Sequence, residues 1–154
     1  MRLNLSRDHR YPFLESEVAL DGFVRRWKAG TLPRAEWTHA AHVAVASYHA
    51  FEHRGEVLFE QIKAGIVHHN NSVGTPNTDD SGYHETLTRL WVQITEEFVR
   101  NGSFPTRLQA VSSAVEQFGG DSRYHKRYYS FDVVKDKRAR REWVPPDRRP
   151  PAMA

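Results

Sequence analysis

Apolar residues recur along this chain at intervals of three and four, the spacing that places them on one face of an α-helix. Leu14, Val18, Leu20, Phe23, Val24 and Trp27 trace the first such face, and Gly30 and Pro33 end it. A second helix is predicted from about 34 to 53, closed by Arg54-Gly55. A third follows from about 57 to 70, with Leu58, Phe59, Ile62 and Ile66 on its stripe. Turn formers crowd residues 74–82, which predicts a polar loop. A fourth helix is expected from about 83 to 100, with Leu87, Leu90, Trp91, Ile94 and Phe98 facing inward. The fifth begins near Pro105, a residue suited to a first turn, and carries Leu108, Val111, Val115 and Phe118 before Gly119-Gly120 stops it. Strand-like alternation is nearly absent. The expected fold is all-α: a compact bundle of five to six helices forming one domain over residues 1–144. From Pro145 four prolines in seven residues exclude a helix, so 145–154 reads as an extended, Pro-rich C-terminal tail.

The second helix departs from the usual amphipathic pattern. Between Thr38 and Phe51 it holds no formally charged residue, and Trp37, Ala40, Val43, Ala44, Val45, Tyr48 and Phe51 leave it apolar nearly all round. On a helical wheel His39, His42, His49 and His53 share an arc of about 80°. A helix of this kind is expected to be central, and imidazoles buried with it need hydrogen-bond partners.

Length and composition set the bounds. A chain of 154 residues buries roughly 68–70% of its unfolded surface, enough for a core with a pocket in it. Cysteine is absent, which removes disulfides, thiolate metal sites and a cysteine nucleophile. The N-terminal residues lack the apolar run of a secretory leader, and no stretch approaches ~18 uncharged apolar residues. A soluble, cytoplasmic protein with no membrane contact is expected, and His9 is expected to be disordered. The net charge of +3 hides an asymmetry: from Asp121 onward ten Lys and Arg face five Asp and Glu. A basic segment can mark a nucleic-acid surface. Here interspersed acids break every run and no recognition motif accompanies them, so a solvated terminal helix is the expectation and nucleic acid is not an expected partner.

Candidate chemistry lies in the histidines. His39 and His42, three residues apart, occupy neighbouring turns of one face, close enough to share an ion. His84 stands at the start of the fourth helix, where the positive end of the helix dipole holds an imidazole neutral, the form that binds a metal or accepts a proton. Glu85 beside it is a candidate ligand or general base; it also fits the helix dipole and an i,i+4 pair with Arg89. His49 and His53 fit the solvent-exposed edge of their helix, and His68-His69 its neighbour's C-terminal end. His125 lies in a basic, aromatic stretch and could add a ligand from a third element.

The segments Glu36-Trp37-Thr38-His39-Ala40-Ala41-His42-Val43-Ala44 and Gly82-Tyr83-His84-Glu85-Thr86-Leu87-Thr88 resemble those of a group of short, all-helical, uncharacterised bacterial proteins. The resemblance runs from about Phe23 to Trp143. It supplies no reaction; it implies that His39, His42, His84 and Glu85 are where a site would be.

Three functions follow as expectations. The first is a metal-dependent enzyme with metal ligands His39, His42, His84 and Glu85, His84 and Glu85 also being catalytic, and Tyr83, Thr86 and Thr88 supporting them. Such a donor set suits Fe, Zn, Mn or Ni and hydrolytic or oxygen-dependent chemistry on a small organic substrate. The second is a metal-free acid–base enzyme using His84 and Glu85, or His39 with a carboxylate from elsewhere. The third is a binding or regulatory module built on the basic C-terminal segment. A monomer and a helix-mediated homodimer both fit the composition.

Overall fold

Side-chain caps set where most of the helices begin. Ser16, Thr38, His84, Thr106 and Asp136 stand in extended backbone just before a helix, and each accepts a hydrogen bond from the amide three residues on. That bond satisfies an amide that has no partner inside the helix. In the computed structural model, which describes residues 11–148, they open α1 (Glu17–Ala29), α2 (His39–Ala50), α4 (Glu85–Gly102), α5 (Arg107–Phe118) and the short α6 (Lys137–Arg141). Helix α3 (Gly55–Ser72) starts after Arg54 without a side-chain cap. Single 3-10 turns lie at Pro12–Leu14, Arg34–Glu36 and Tyr124–Arg127. Among the described residues no strand forms, and Thr78 and Ser81 make one isolated antiparallel bridge. The fold is all-α.

Helix α2 is the centre of the bundle. Nine of its twelve residues are buried, five of them alanines, and this small-residue surface lets α4 and α5 pack closely against it. On its other side Trp27 of α1 is fully buried and stacks on Trp37, with ring centroids 5.5 Å apart. The Trp27 ring lies directly over Gly65 of α3, where a Cβ would come within 2.0 Å of Cη2. Glycine there is a matter of space: α1 and α3 approach because position 65 has no side chain.

The structure corrects several expected boundaries. The predicted helix from 34 to 53 is a 3-10 turn at Arg34–Glu36 and a separate α2, because Thr38 adopts extended backbone (φ −89°, ψ 174°) to cap Ala41. The fourth helix begins after His84 rather than at Tyr83, and Pro105 precedes the Thr106 cap instead of sitting in the first turn. Val18, read as part of an inward face, is 81% exposed. His49, read as solvent-edge, is buried: its Nδ1–H donates to the Val45 carbonyl at 2.8 Å and its Nε2 has no partner. His69 is also fully buried, with Nε2–H donating to the Leu32 carbonyl at 2.9 Å.

The described basic residues of the C-terminal segment are exposed, with Arg140 half-buried, but three of them bind the 74–82 loop. Arg140 donates to the Gly82 carbonyl at 2.8 Å, while Arg141 pairs with Asp79 at 3.2 Å and Lys137 with Asp80 at 3.5 Å. These residues hold the 74–82 loop against the body of the protein. Asn77 organises the loop itself, accepting from the Asn70 side chain and the Tyr83 amide, both at 2.9 Å. Gly82 packs so tightly under it that a Cβ would meet the Pro76 carbonyl at 2.3 Å. The start of the tail is anchored: Asp147 accepts from the Ser130 amide and hydroxyl, and the Arg148 amide donates to Tyr128. His9 and residues 149–154 lie outside the described residues. No helix of the described chain is long and apolar enough to cross a membrane.

The Trp27–Gly65 contact gives a direct test. Gly65→Ala is expected to lower the free energy of unfolding by about 2 kcal/mol through overpacking, despite alanine's better helix propensity. Urea unfolding followed by circular dichroism measures it; a stabilised variant would contradict the contact.

Candidate functional site

Four imidazoles from three parts of the chain line one cavity. His39 and His42 reach it from α2, His84 from the cap of α4, and His125 from the 3-10 turn after α5. The space measures about 460 Å³, within the range of small-molecule sites. Trp37, Trp91 and Tyr83 supply aromatic walls, aliphatic side chains of α2, α3 and α4 add to them, and Asn70, Thr75, Thr88 and Ser122 bring neutral polar groups. No Asp, Glu, Lys or Arg lines it.

Each of the four rings holds a backbone carbonyl. Nε2 of His39 lies 3.1 Å from the Phe118 carbonyl at the end of α5, and Nδ1 of His42 lies 2.7 Å from the Thr38 carbonyl. Nε2 of His84 reaches the Val133 carbonyl at 2.9 Å, and Nδ1 of His125 the Ser122 carbonyl at 3.1 Å. A carbonyl oxygen only accepts, so the nitrogen facing it carries the proton and the neutral tautomer is assigned. His39 therefore keeps its lone pair on Nδ1, and His42 and His125 keep theirs on Nε2. His84 keeps none, because its Nδ1 accepts the Leu87 amide at 3.1 Å to cap α4.

Burial holds all four rings neutral. It pushes His42 down from 6.5 to about 4; the Thr38 carbonyl opposes this, and His39 and His69 add to it. His39, His84 and His125 also fall below the ordinary histidine value, chiefly through burial. For His39 the Phe118 carbonyl and the Asp121 carboxylate oppose the drop. Ring packing fixes orientation further. His42 stacks on Trp37 with centroids 3.8 Å apart, and His39 meets Trp91 edge-on at 4.9 Å.

Glu85 does not join this group. One carboxylate oxygen accepts from Lys63 at 3.1 Å and from the Tyr83 hydroxyl at 2.9 Å, and the other lies 3.6 Å from Arg89. Tyr83 is pushed well above the usual tyrosine value by burial and by that bond. Thr86 is likewise engaged elsewhere, donating to the Glu142 carbonyl and accepting the Val144 amide, whereas Thr88 lines the cavity. The expected convergence is therefore partial. His39, His42 and His84 share one cavity, but His84 has no free lone pair and Glu85 is turned to cations outside it. Among the described residues no three His, Asp or Glu side chains are grouped closely enough to hold a metal ion.

Two features of the site were not read as such in the sequence. Trp91 stood among core residues, although it lies seven residues, two helical turns, after His84. Asp121, the carboxylate acting on His39, follows the Gly119-Gly120 stop and carried no local signal. Comparison with family models, with curated proteins and with solved structures gives no match.

Two measurements check the site's construction. His84→Ala is expected to cost about 2 kcal/mol, combining a lost helix cap with a stranded Val133 carbonyl, and His84→Asn to recover part of it as a capping residue. Equal losses in both variants would contradict the cap. The pH dependence follows from His42 and His49, both lowered from 6.5 to about 4 by burial. Unfolding frees them to take up protons first, so stability is full above about pH 6.5 and declines as the pH falls toward 4. A urea midpoint unchanged from pH 7 down to about 5 would contradict this assignment.

Proposed function

We propose that this protein is a metal-free acid–base enzyme acting on a small, uncharged organic molecule held among the four histidines. The observation that carries the reading is a cavity of about 460 Å³ lined by four neutral imidazoles and by no charged side chain. His39 is the proton acceptor. Its Nε2–H stays on the Phe118 carbonyl, its Nδ1 lone pair is uncommitted, and Asp121 stabilises the imidazolium that forms. His42, harder to protonate, orients the substrate as a fixed hydrogen-bond acceptor through Nε2. His84 is a positioning residue, since its two nitrogens join α4 to Val133.

A divalent metal, Fe, Zn, Mn or Ni, is the second reading. The lone pairs of His39 Nδ1 and His42 Nε2 favour it, lying on rings three residues apart on one helix face. It requires further ligands from water or substrate, because His84 and Glu85 are committed elsewhere.

A generic proton-abstraction probe separates the two. 5-Nitrobenzisoxazole is uncharged: a base removes the proton at C3, the N–O bond breaks, and 2-cyano-4-nitrophenolate is released. The protein is expected to accelerate this reaction at least a hundredfold over the same concentration of free imidazole, the lower end of the ~10²–10⁴ typical of a positioned base. The rate is expected to be level through neutral pH and to fall in acid below the ordinary histidine value, as His39 protonates. His39→Gln retains a donor for the Phe118 carbonyl and is expected to lose the acceleration. Chelator treatment is expected to leave the rate unchanged. No acceleration over imidazole would sink the acid–base reading, and loss of activity with chelator would replace it by the metal-dependent one.

A further inference from the structure

The unused hydrogen-bonding capacity of the cavity points to a class of ligand. All four imidazole N–H groups are committed to carbonyls, of Phe118, Thr38, Val133 and Ser122. The Tyr83 hydroxyl donates to Glu85. The imidazoles therefore offer a ligand acceptors alone, Nδ1 of His39 and Nε2 of His42 and His125, while the lining hydroxyls of Thr75, Thr88 and Ser122 can donate or accept and Asn70 donates to Asn77. No cation lines the space: Lys126, which acts on His125, is exposed and outside the lining, and three others are engaged. Lys63 and Arg89 pair with Glu85, and Arg140 is bound to the backbone of the 74–82 loop.

Shape adds a second constraint. The His42 ring, stacked on Trp37, and the Trp91 ring, set against His39, form flat walls carried by two different helices. Aromatic surfaces favour a flat, polarisable partner whose ring stacks or meets them edge-on. An anion entering this space would lose its hydration and find no positive side chain in return, a large cost.

We infer that the cavity takes an uncharged one- or two-ring aromatic molecule bearing an O–H or ring N–H donor, which it recognises by a hydrogen bond to the lone pair of His42 or His39. This names the substrate class of the proposed acid–base site and rests on the same cavity, but it concerns binding and stands apart from turnover. The donor requirement follows because leaving a desolvated imidazole lone pair without a partner penalises a ligand that lacks one.

Three naphthalene derivatives of nearly equal size test it by isothermal titration calorimetry on the full chain at pH 7. These are 2-naphthol, which has the donor; 2-methoxynaphthalene, which lacks it; and 2-naphthoate, which is charged. The naphthol is expected to bind at least tenfold more tightly than the ether, and the naphthoate more weakly than either. His42→Phe, which keeps a flat ring against Trp37, is expected to reduce the preference for naphthol over ether by at least threefold. The wild-type ranking needs no variant to fold. Equal affinities of naphthol and ether, a tighter naphthoate, or no binding of any of the three would overturn the inference. The naphthol preference without acceleration of 5-nitrobenzisoxazole would leave the ligand class standing and remove the acid–base reading alone.

Discussion

Burying a helix that is apolar all round forces every imidazole it carries to find a partner inside the protein. Helix α2 has little solvent on any side, and an unpaired ring N–H in such surroundings costs about 1–3 kcal/mol. The protein answers with backbone carbonyls. His39 takes one from the end of α5, while His42 and His49 take those of Thr38 and Val45 four residues back. His69 on α3 takes that of Leu32. The tautomers, the neutral state of the rings and the sites of the remaining lone pairs all follow from that one requirement.

The cavity has its character because α2 supplies only part of its lining. The rest comes from α3, the 74–82 loop, α4 and the segment after α5, and bonds distant in sequence fix two of these: His84 to Val133 at the start of α4, and Arg140 to Gly82 in the loop. Charged groups are numerous nearby, yet they neutralise one another outside the space. Glu85 gathers Lys63, Arg89 and the Tyr83 hydroxyl, and none of the three charged side chains lines the cavity. The result is a site whose polar groups are neutral and directional.

How much of this could be read from the sequence depends on how local the cause is. The helices were readable because apolar spacing is a local signal, and so was the Glu85–Arg89 pair at i,i+4. The break at Thr38 was hidden, since Trp37 continues the apolar stripe and only the extended backbone of the cap interrupts the helix. A helix wheel with no polar face cannot say which arc points inward, and so His49 was assigned to solvent. The burial of His125 within a basic stretch depends on tertiary packing, as does the capture of Glu85 by Lys63, which comes from a different helix. Histidines in the Trp37–His42 and Tyr83–Glu85 segments did mark one cavity; the uses of their nitrogens could be seen only in three dimensions.

The ring of His84 touches two parts of the protein at once. One nitrogen terminates the amide ladder of α4 and the other grips Val133, in the segment that walls the cavity. The order of the first turn of α4 and the attachment of that wall consequently depend on the same side chain. A change at position 84 therefore reaches the cavity by two routes, through the start of the helix and through the Val133–Val134 segment.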